Sequence, residues 1–240
     1  MRGFVLLGLL LAAVSASAQE EESEGVVPLN GVGRVTVQGG WRLTSNNTFF
    51  DSFYELPGLE CSEGCLRDSP GGPFAAATFA YSVSDFIEVG IDLFYTQQQL
   101  RLTNAATHTN ITYGALLGLR FQGLLEILTP QGVVPFIGLE TGPSLAYSLV
   151  EGVGRRESII QPWVGTVGAT VRLSAHWAIT AEYRLAFARG HSPYQNKPPP
   201  SGTGDSPYKN LASYNAGGNW FALGVTYLLA PDPVRTFSMP

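Results

Sequence analysis

The stretch Trp177–Phe187, WAITAEYRLAF, decides the fold of this chain. Successive side chains of a β-strand point to opposite faces, so its residues divide into an apolar face and a face that carries Glu182 and Arg184. The apolar face consists of Trp177, Ile179, Ala181, Tyr183, Leu185 and Phe187. A soluble barrel turns such a face inward, whereas a membrane barrel turns it toward lipid. The alternation therefore predicts a barrel strand and leaves open which face lies inside.

Residues 1–18 have the features of a secretory signal peptide. Arg2 provides a basic start, Phe4–Val14 is an apolar run too short to span a bilayer as a helix, and Ala16-Ser17-Ala18 is a small-residue cleavage site. The chain from Gln19 onward is therefore expected to be exported. We predict an acidic periplasmic linker over residues 19–31, a barrel over residues 32–229 and a periplasmic tail over residues 230–240.

The composition is apolar for an exported domain. Charged residues make up 14% of the chain, which has 28 glycines and a mean hydropathy of +0.09. No segment after the signal has the roughly 18 uninterrupted apolar residues of a membrane helix, because the most apolar one, Leu116–Leu139, contains two charges and two prolines. A membrane protein without such a helix must close its strands into a barrel. The net charge of −5 gives no support for a nucleic-acid partner.

Eight segments alternate as the opening stretch does. They are Val32–Leu43, Phe74–Val83, Phe86–Gln99, Ile111–Gln122, Val134–Tyr147, Ile160–Leu173, Trp177–Phe187 and Asn219–Leu229. Their lengths suit tilted membrane strands, which need about 9 to 11 residues. Short turns alternate with the long polar connections Thr44–Pro73, Leu100–Asn110, Leu149–Ser158 and Ala188–Gly218. This pattern predicts an all-β fold, an eight-stranded antiparallel up-and-down transmembrane β-barrel with both termini in the periplasm.

Aromatic side chains occur near the ends of these strands on the apolar face. They are Trp41, Tyr95, Tyr113, Tyr147, Trp163, Trp177 and Phe187. Amphipathic rings favour the headgroup level of a bilayer, so we interpret this set as an aromatic girdle. The alternative is the aromatic core of a soluble sandwich, and the charges on the opposite strand face disfavour it.

That opposite face carries nine charged side chains among glycines and threonines. They are Arg34, Arg42, Glu88, Asp92, Arg120, Glu140, Arg172, Glu182 and Arg184. An eight-stranded barrel is only wide enough for side chains to fill it, and buried charges have to be paired. We therefore predict a nearly neutral charge network that plugs the lumen.

Two segments carry a resemblance to the small outer-membrane barrels of the OmpA, OmpX and OmpW type. They are WAITAEYRL and the last strand WFALGVTYLL, in which Gly224, Tyr227 and Leu229 match the Gly-x-x-aromatic-x-hydrophobic pattern that the barrel-assembly machinery recognises. Those families usually end on a terminal Phe, whereas residues 230–240 continue here as a tail. The resemblance implies an outer-membrane location, with membrane lipid, lipopolysaccharide and the assembly machinery as partners. We expect a monomer without a cofactor or metal.

The last third of the chain also resembles the lipid A deacylase barrels of the PagL type. In that family a Tyr-Arg strand leads into a His-x-Ser-Asn motif, and an Asn-x-Gly segment opens the final strand. This chain has Tyr183-Arg184 and Asn215-Ala216-Gly217. The positions of the catalytic His, Ser and Asn are occupied by Phe187, Arg189 and Gly190. A hydroxyl nucleophile needs an adjacent base, so we expect no enzymatic activity.

The only two cysteines, Cys61 and Cys65, lie in the first long connection. An even pair in an exported chain favours a local disulfide, and two thiols without a nearby His disfavour a zinc site. The leading hypothesis is a structural or surface-binding barrel. The first alternative is passive transport of small apolar solutes in the OmpW manner, for which Phe94, Leu116 and Phe136 on otherwise polar faces are the only hint. The second is a barrel like the lipid A deacylases with a degraded active site.

Overall fold

The computed structural model describes residues 30–43, 67–102, 108–122, 132–150, 154–191 and 213–229. Within these ranges the chain forms twelve strands: β1 (Gly33–Leu43), β2 (Arg67–Ser82), β3 (Ile87–Leu102), β4 (His108–Gln122), β5 (Val133–Thr141), β6 (Ser144–Val150), β7 (Gly154–Ile160), β8 (Trp163–Arg172), β9 (Trp177–Phe187), β10 (Arg189–His191), β11 (Ser213–Asn215) and β12 (Gly218–Leu228). None of the described residues forms a helix long and apolar enough to cross a membrane. The predicted signal peptide, the predicted tail and Cys61 with Cys65 lie outside the described residues.

Ten of these strands form one closed antiparallel barrel, and β10 pairs only with β11. β1 closes the barrel by pairing with β12, and Val35 lies opposite Tyr227 at this seam. The ten strands make an eight-stranded barrel, because two of its strands are each interrupted once. One consists of β5 and β6, and the other consists of β7 and β8. β4 pairs with β5 and β6 in a single register, and this confirms the predicted eight-stranded up-and-down barrel.

Two prolines account for the interruptions, since Pro143 precedes β6 and Pro162 precedes β8. Proline has no N–H and cannot donate to a sheet ladder. The carbonyls still accept hydrogen bonds, from the Ala115 N–H at 3.2 Å for Pro143 and from the Thr141 hydroxyl at 2.8 Å for Pro162. The strands also remain close to each other at this point. A Cβ added to Gly142 would lie only 2.2 Å from the Ala115 carbonyl oxygen. The prolines therefore interrupt the hydrogen-bond ladder, but they do not open a gap between the strands.

Residues that pair with each other lie progressively nearer the upper end of the barrel from one strand to the next. From Ser82 on β2, backbone partners lead through Glu88, Arg120, Gly138, Thr166, Arg184, Trp220 and Arg42 back to β2 at Gly72. Ser82 and Gly72 are ten residues apart, so one circuit displaces the register by ten residues. Closed barrels accommodate such a displacement by tilting their strands. Trp220 and Arg42 consequently lie higher in the lumen than Arg184, toward the end with the long connections.

Burial shows which strand face lies inside. In β9 the small and charged side chains are buried, whereas the apolar ones are half-buried or exposed. The same alternation runs through β1 and β12. Large apolar side chains are on the outside, with Val37 and Leu117 each 64% exposed and Leu223 60% exposed. A polar interior and an apolar exterior are typical of transmembrane barrels rather than soluble ones.

Two connections at the upper end are shorter than predicted. The sequence pattern assigned Leu100–Asn110 and Leu149–Ser158 to long polar loops. Strands β3, β4, β6 and β7 extend into both, so that only residues 103–107 and 151–153 lie between strand ends. β2 likewise begins at Arg67, within the predicted connection Thr44–Pro73. Backbone pairing continues after the side-chain alternation fades, because a hairpin ladder does not depend on an apolar face.

Candidate functional site

Arg184 is the centre of a buried group of charges in the lumen. The alternation of β9 turns it inward, where it is fully buried. Its Nη1 donates to Asp92 Oδ2 at 2.5 Å and to Glu140 Oε2 at 3.2 Å. Its Nη2 donates to Gln38 Oε1 at 3.0 Å, and its Nε donates to Glu182. The guanidinium is therefore held by groups on β1, β3, β5 and β9.

Arg120 joins the same carboxylates from β4. Its Nη2 lies 3.1 Å from Glu140, 3.4 Å from Glu182 and 4.0 Å from Asp92, and none of these four side chains is more than 5% exposed. We call Asp92, Arg120, Glu140, Glu182 and Arg184 the central cluster. Buried charges are tolerated only when they are paired and hydrogen-bonded, and each member of the cluster has at least one oppositely charged neighbour.

A second ion pair lies below the central cluster. Arg34 binds Glu88 through two hydrogen bonds, of 2.5 and 2.6 Å, and donates a third to Thr36 at 3.0 Å. Hydroxyl contacts at 2.8–3.0 Å continue across the lumen through Thr36, Thr226, Thr180 and Thr170. A small cavity lies between Glu88 and the central cluster, beside Thr78 and Gly118, with room for about one water molecule.

Above the central cluster the lumen is apolar. The apolar layer consists of Phe74, Phe94, Leu116, Val164 and Trp220, none of which is more than 4% exposed. Trp220 stacks on both phenylalanines, with ring centroids 5.2 Å from Phe74 and 5.3 Å from Phe94. The Arg184 guanidinium lies 5.4 Å from the Phe74 ring, so a cation–π contact joins the layer to the cluster.

The structure brings together seven of the nine predicted lumen charges. Five form the central cluster, and Arg34 and Glu88 form the pair beneath it. Arg42 is fully buried. It lies on β1 opposite Trp220, and is therefore higher in the lumen than the central cluster. Arg172 is half-buried at the end of β8, near the opposite rim.

The residues of the apolar layer show what sequence reasoning missed. Phe94 and Leu116 were noted as apolar residues on polar faces, and both belong to the layer. Phe136 does not; it lies under Arg120, whose guanidinium carbon is 4.8 Å from the ring centroid. Trp220 lies on the lumen face of β12, between the buried residues Gly218 and Ala222 of the same alternation. A Trp on a face of small and polar residues was the available signal.

The seven predicted girdle aromatics all lie on the outer face. Six of them are between 37% and 50% exposed, and Tyr147 is half-buried because it stacks on Tyr113 at 5.5 Å. Several polar ring atoms have partners on the barrel surface. The Trp41 indole donates to the Pro70 carbonyl at 2.9 Å, and the Tyr183 hydroxyl donates to Asn219 at 2.6 Å.

The positions compared with the deacylase barrels have other surroundings here. Arg184 belongs to the central cluster, and Phe187 points outward with 49% of its surface exposed. Within the described ranges, no group of three or more His, Cys, Asp or Glu side chains could hold a metal ion. The lumen carboxylates of Asp92, Glu140 and Glu182 are instead bound to guanidinium groups.

The fold and the burial pattern define a class of protein, the eight-stranded transmembrane β-barrel of the outer membrane. The chain has the fold of the small outer-membrane barrels, and its apolar exterior supports the predicted outer-membrane location.

Solved structures match most of this chain at low sequence identity. OprG from Pseudomonas aeruginosa has a TM-score of 0.48 and 12% sequence identity, and the match covers 84% of this chain and 97% of OprG. Ail of Yersinia pestis has a TM-score of 0.43 and 11% identity, covering 83% and 99% of the two chains. Neisserial surface protein A has a TM-score of 0.42 and 11% identity, covering 82% and 97%. No protein-family model and no curated protein matches the sequence.

Proposed function

We propose that this protein is a non-catalytic outer-membrane scaffold with a plugged lumen, which has a structural or surface-binding role through its outer connections. The observation that carries the proposal is the filling of the lumen at two successive levels. The central cluster occupies the lower level, and the stacked rings of the apolar layer occupy the upper one. A hydrated solute would have to separate buried ion pairs and then displace Trp220.

The outer surface supports membrane lipid as the main surroundings of this scaffold. Tyr227 in the last strand and Leu229 just after it are 40% and 38% exposed on the outside, and Gly224 faces the lumen. These are the residues that match the assembly pattern, so the assembly machinery could read the two outward side chains along the edge of β12 before the seam with β1 forms. We propose a monomer, because the seam leaves both edges of β1 and β12 paired within one chain.

Single-channel recording tests the plugged lumen directly. The purified full chain is refolded into planar phosphatidylcholine bilayers, and a mobility difference between unheated and boiled samples on a gel establishes that it has folded. We expect no conductance steps from the wild type. The variant Trp220→Ala should also remain closed, because the central cluster below it is intact. Regular conductance steps from folded wild-type protein would refute the plug.

Passive transport of small apolar solutes is a second candidate, and one observation favours it. The apolar layer lines the upper lumen with Leu116 from β4 and Val164 from β8. Above Trp163 and Phe187, which pair with each other, β7 pairs only with β6 among the described strands, and β10 lies beside β7 without a backbone ladder between them. An apolar solute could therefore leave the upper lumen through the wall between β7 and β10. Uptake of a short alkane into protein-containing vesicles tests this route, and Trp220→Ala should increase uptake if it exists.

The proposed absence of catalysis has its own test. Expression of the full chain in an outer membrane should leave the mass spectrum of lipid A unchanged, because Phe187 stands where the deacylases have their catalytic His. A new lipid A species lacking one acyl chain would contradict the proposal.

A further inference from the structure

A pair of stacked tyrosines holds an arginine on the outer face of the barrel, near its upper rim. Tyr113 and Tyr147 stack at 5.5 Å, and their hydroxyls are 2.7 Å apart. The guanidinium carbon of Arg155 lies 3.9 Å from the Tyr147 ring centroid, and its Nη2 lies 2.8 Å from Glu157 Oε1. We call these four residues the rim cluster. Although it is held by both neighbours, the Arg155 side chain is 57% exposed.

We propose that the rim cluster binds the phosphate group of a lipid in the outer leaflet. This inference rests on the proposed function, because it requires the barrel to lie in a bilayer with this end outward. Two girdle tyrosines belong to the cluster, and girdle rings lie at the headgroup level. A planar guanidinium can form two parallel hydrogen bonds to phosphate oxygens, and contact with a ring limits the rotamer freedom that Arg155 would lose on binding.

The neighbours of Arg155 favour a lipid over free phosphate. Its backbone partner on β6 is Leu149, which is 47% exposed, and Ile159 on the same face of β7 is 82% exposed. A cation flanked by exposed apolar side chains matches a molecule with a phosphate head and acyl chains. An inorganic ion would gain nothing from those apolar groups.

Replacing Glu157 should change the lipid affinity in a direction that can be predicted and tested. Its carboxylate is 59% exposed and shares Arg155 with any incoming phosphate, and like charges close together repel. Glu157→Gln should therefore bind the phosphate lipid more tightly than the wild type. Arg155→Gln should bind it about tenfold more weakly, the effect of losing one charge-assisted hydrogen bond.

Competition in mixed micelles measures this preference. Refolded full-length protein is offered equal amounts of phosphatidic acid and phosphatidylcholine, and native mass spectrometry reports the fraction of barrels that carry each lipid. The wild type should prefer phosphatidic acid, and inorganic phosphate at the same concentration should not displace it. The matched control is Arg189→Gln, which removes an exposed arginine from β10 and should leave the preference unchanged.

Three outcomes would overturn the inference: no preference in the wild type, an equal loss in Arg155→Gln and Arg189→Gln, or weaker binding by Glu157→Gln. The second would indicate general charge attraction instead of a site. Gel mobility before and after boiling is recorded for every variant. If the wild type fails that test the proposed function itself fails, whereas a folded barrel without lipid preference removes the rim site alone.

Discussion

At the scale of single residues, Arg184 is the side chain on which the lumen depends most. It binds three carboxylates and the amide of Gln38. Arg184→Met keeps a similar length but leaves those carboxylates one cation short. Removing one partner of a buried ion pair typically costs about 3–5 kcal/mol, and we expect a loss of that size in the free energy of unfolding, measured by urea titration in phosphatidylcholine vesicles.

The matched control is Arg155→Met, since that arginine is largely exposed and paired with a single acid. Exposed pairs contribute at most about 1 kcal/mol. If Arg184→Met prevents folding altogether, the double variant Arg184→Met/Glu182→Met should restore part of the folded yield, because it removes one of the three acids that Arg120 alone would then have to neutralise. Equal effects of the two single arginine variants would show that the central cluster does not stabilise the barrel.

At the scale of elements, β1 and β12 approach each other closely at the seam of the barrel. A Cβ on Gly40 would lie 1.8 Å from the Phe221 carbonyl oxygen and 2.9 Å from the Ala222 Cα, which are backbone atoms that cannot turn aside. Gly40→Ala should therefore destabilise the folded barrel by about 1–3 kcal/mol, as overpacking does, and lower the fraction that shows shifted gel mobility.

The adjacent Gly39 provides the control for that experiment. A Cβ at this position meets no heavy atom within 4 Å, because its side of β1 faces outward. Gly39→Ala should be neutral or slightly stabilising, since Gly in a strand costs about 0.5–1 kcal/mol relative to Ala. Equal refolding yields for Gly40→Ala and Gly39→Ala would contradict the close seam.

Strand order and type could be predicted from the sequence because every membrane strand repeats the same alternation. The limits of that signal are visible at Pro143, which falls inside the predicted strand Val134–Tyr147 and separates β5 from β6. The alternation also fades in the upper hairpins, although pairing continues between Leu149 and Arg155. Side-chain periodicity reports the bilayer environment, whereas backbone hydrogen bonds decide where a strand ends.

At the scale of the whole molecule, the arrangement of the lumen depends on the displacement of the strand register, which is a property of the closed barrel and not of any single strand. The face of each lumen residue follows from its period, so Asp92, Glu140 and Arg184 could be placed inside. The ten-residue displacement of the register decides which of them meet, and it lifts Trp220 above Arg184. Only the closed set of pairings fixes that displacement, and this is why the apolar layer could not be separated from the charges beforehand.

The same whole-molecule view predicts how the barrel responds to a charge on its outside. Leu223 lies midway along β12 and is 60% exposed, whereas Leu229 follows its end and is 38% exposed. An arginine on the lipid face costs about 2–4 kcal/mol at the bilayer midplane and about 0–1 kcal/mol near the interface. Leu223→Arg should therefore lower the free energy of unfolding in vesicles by the larger amount, and Leu229→Arg by the smaller. Because the two substitutions are chemically identical, their difference reports depth alone, and equal losses would mean that this outer face does not cross a bilayer.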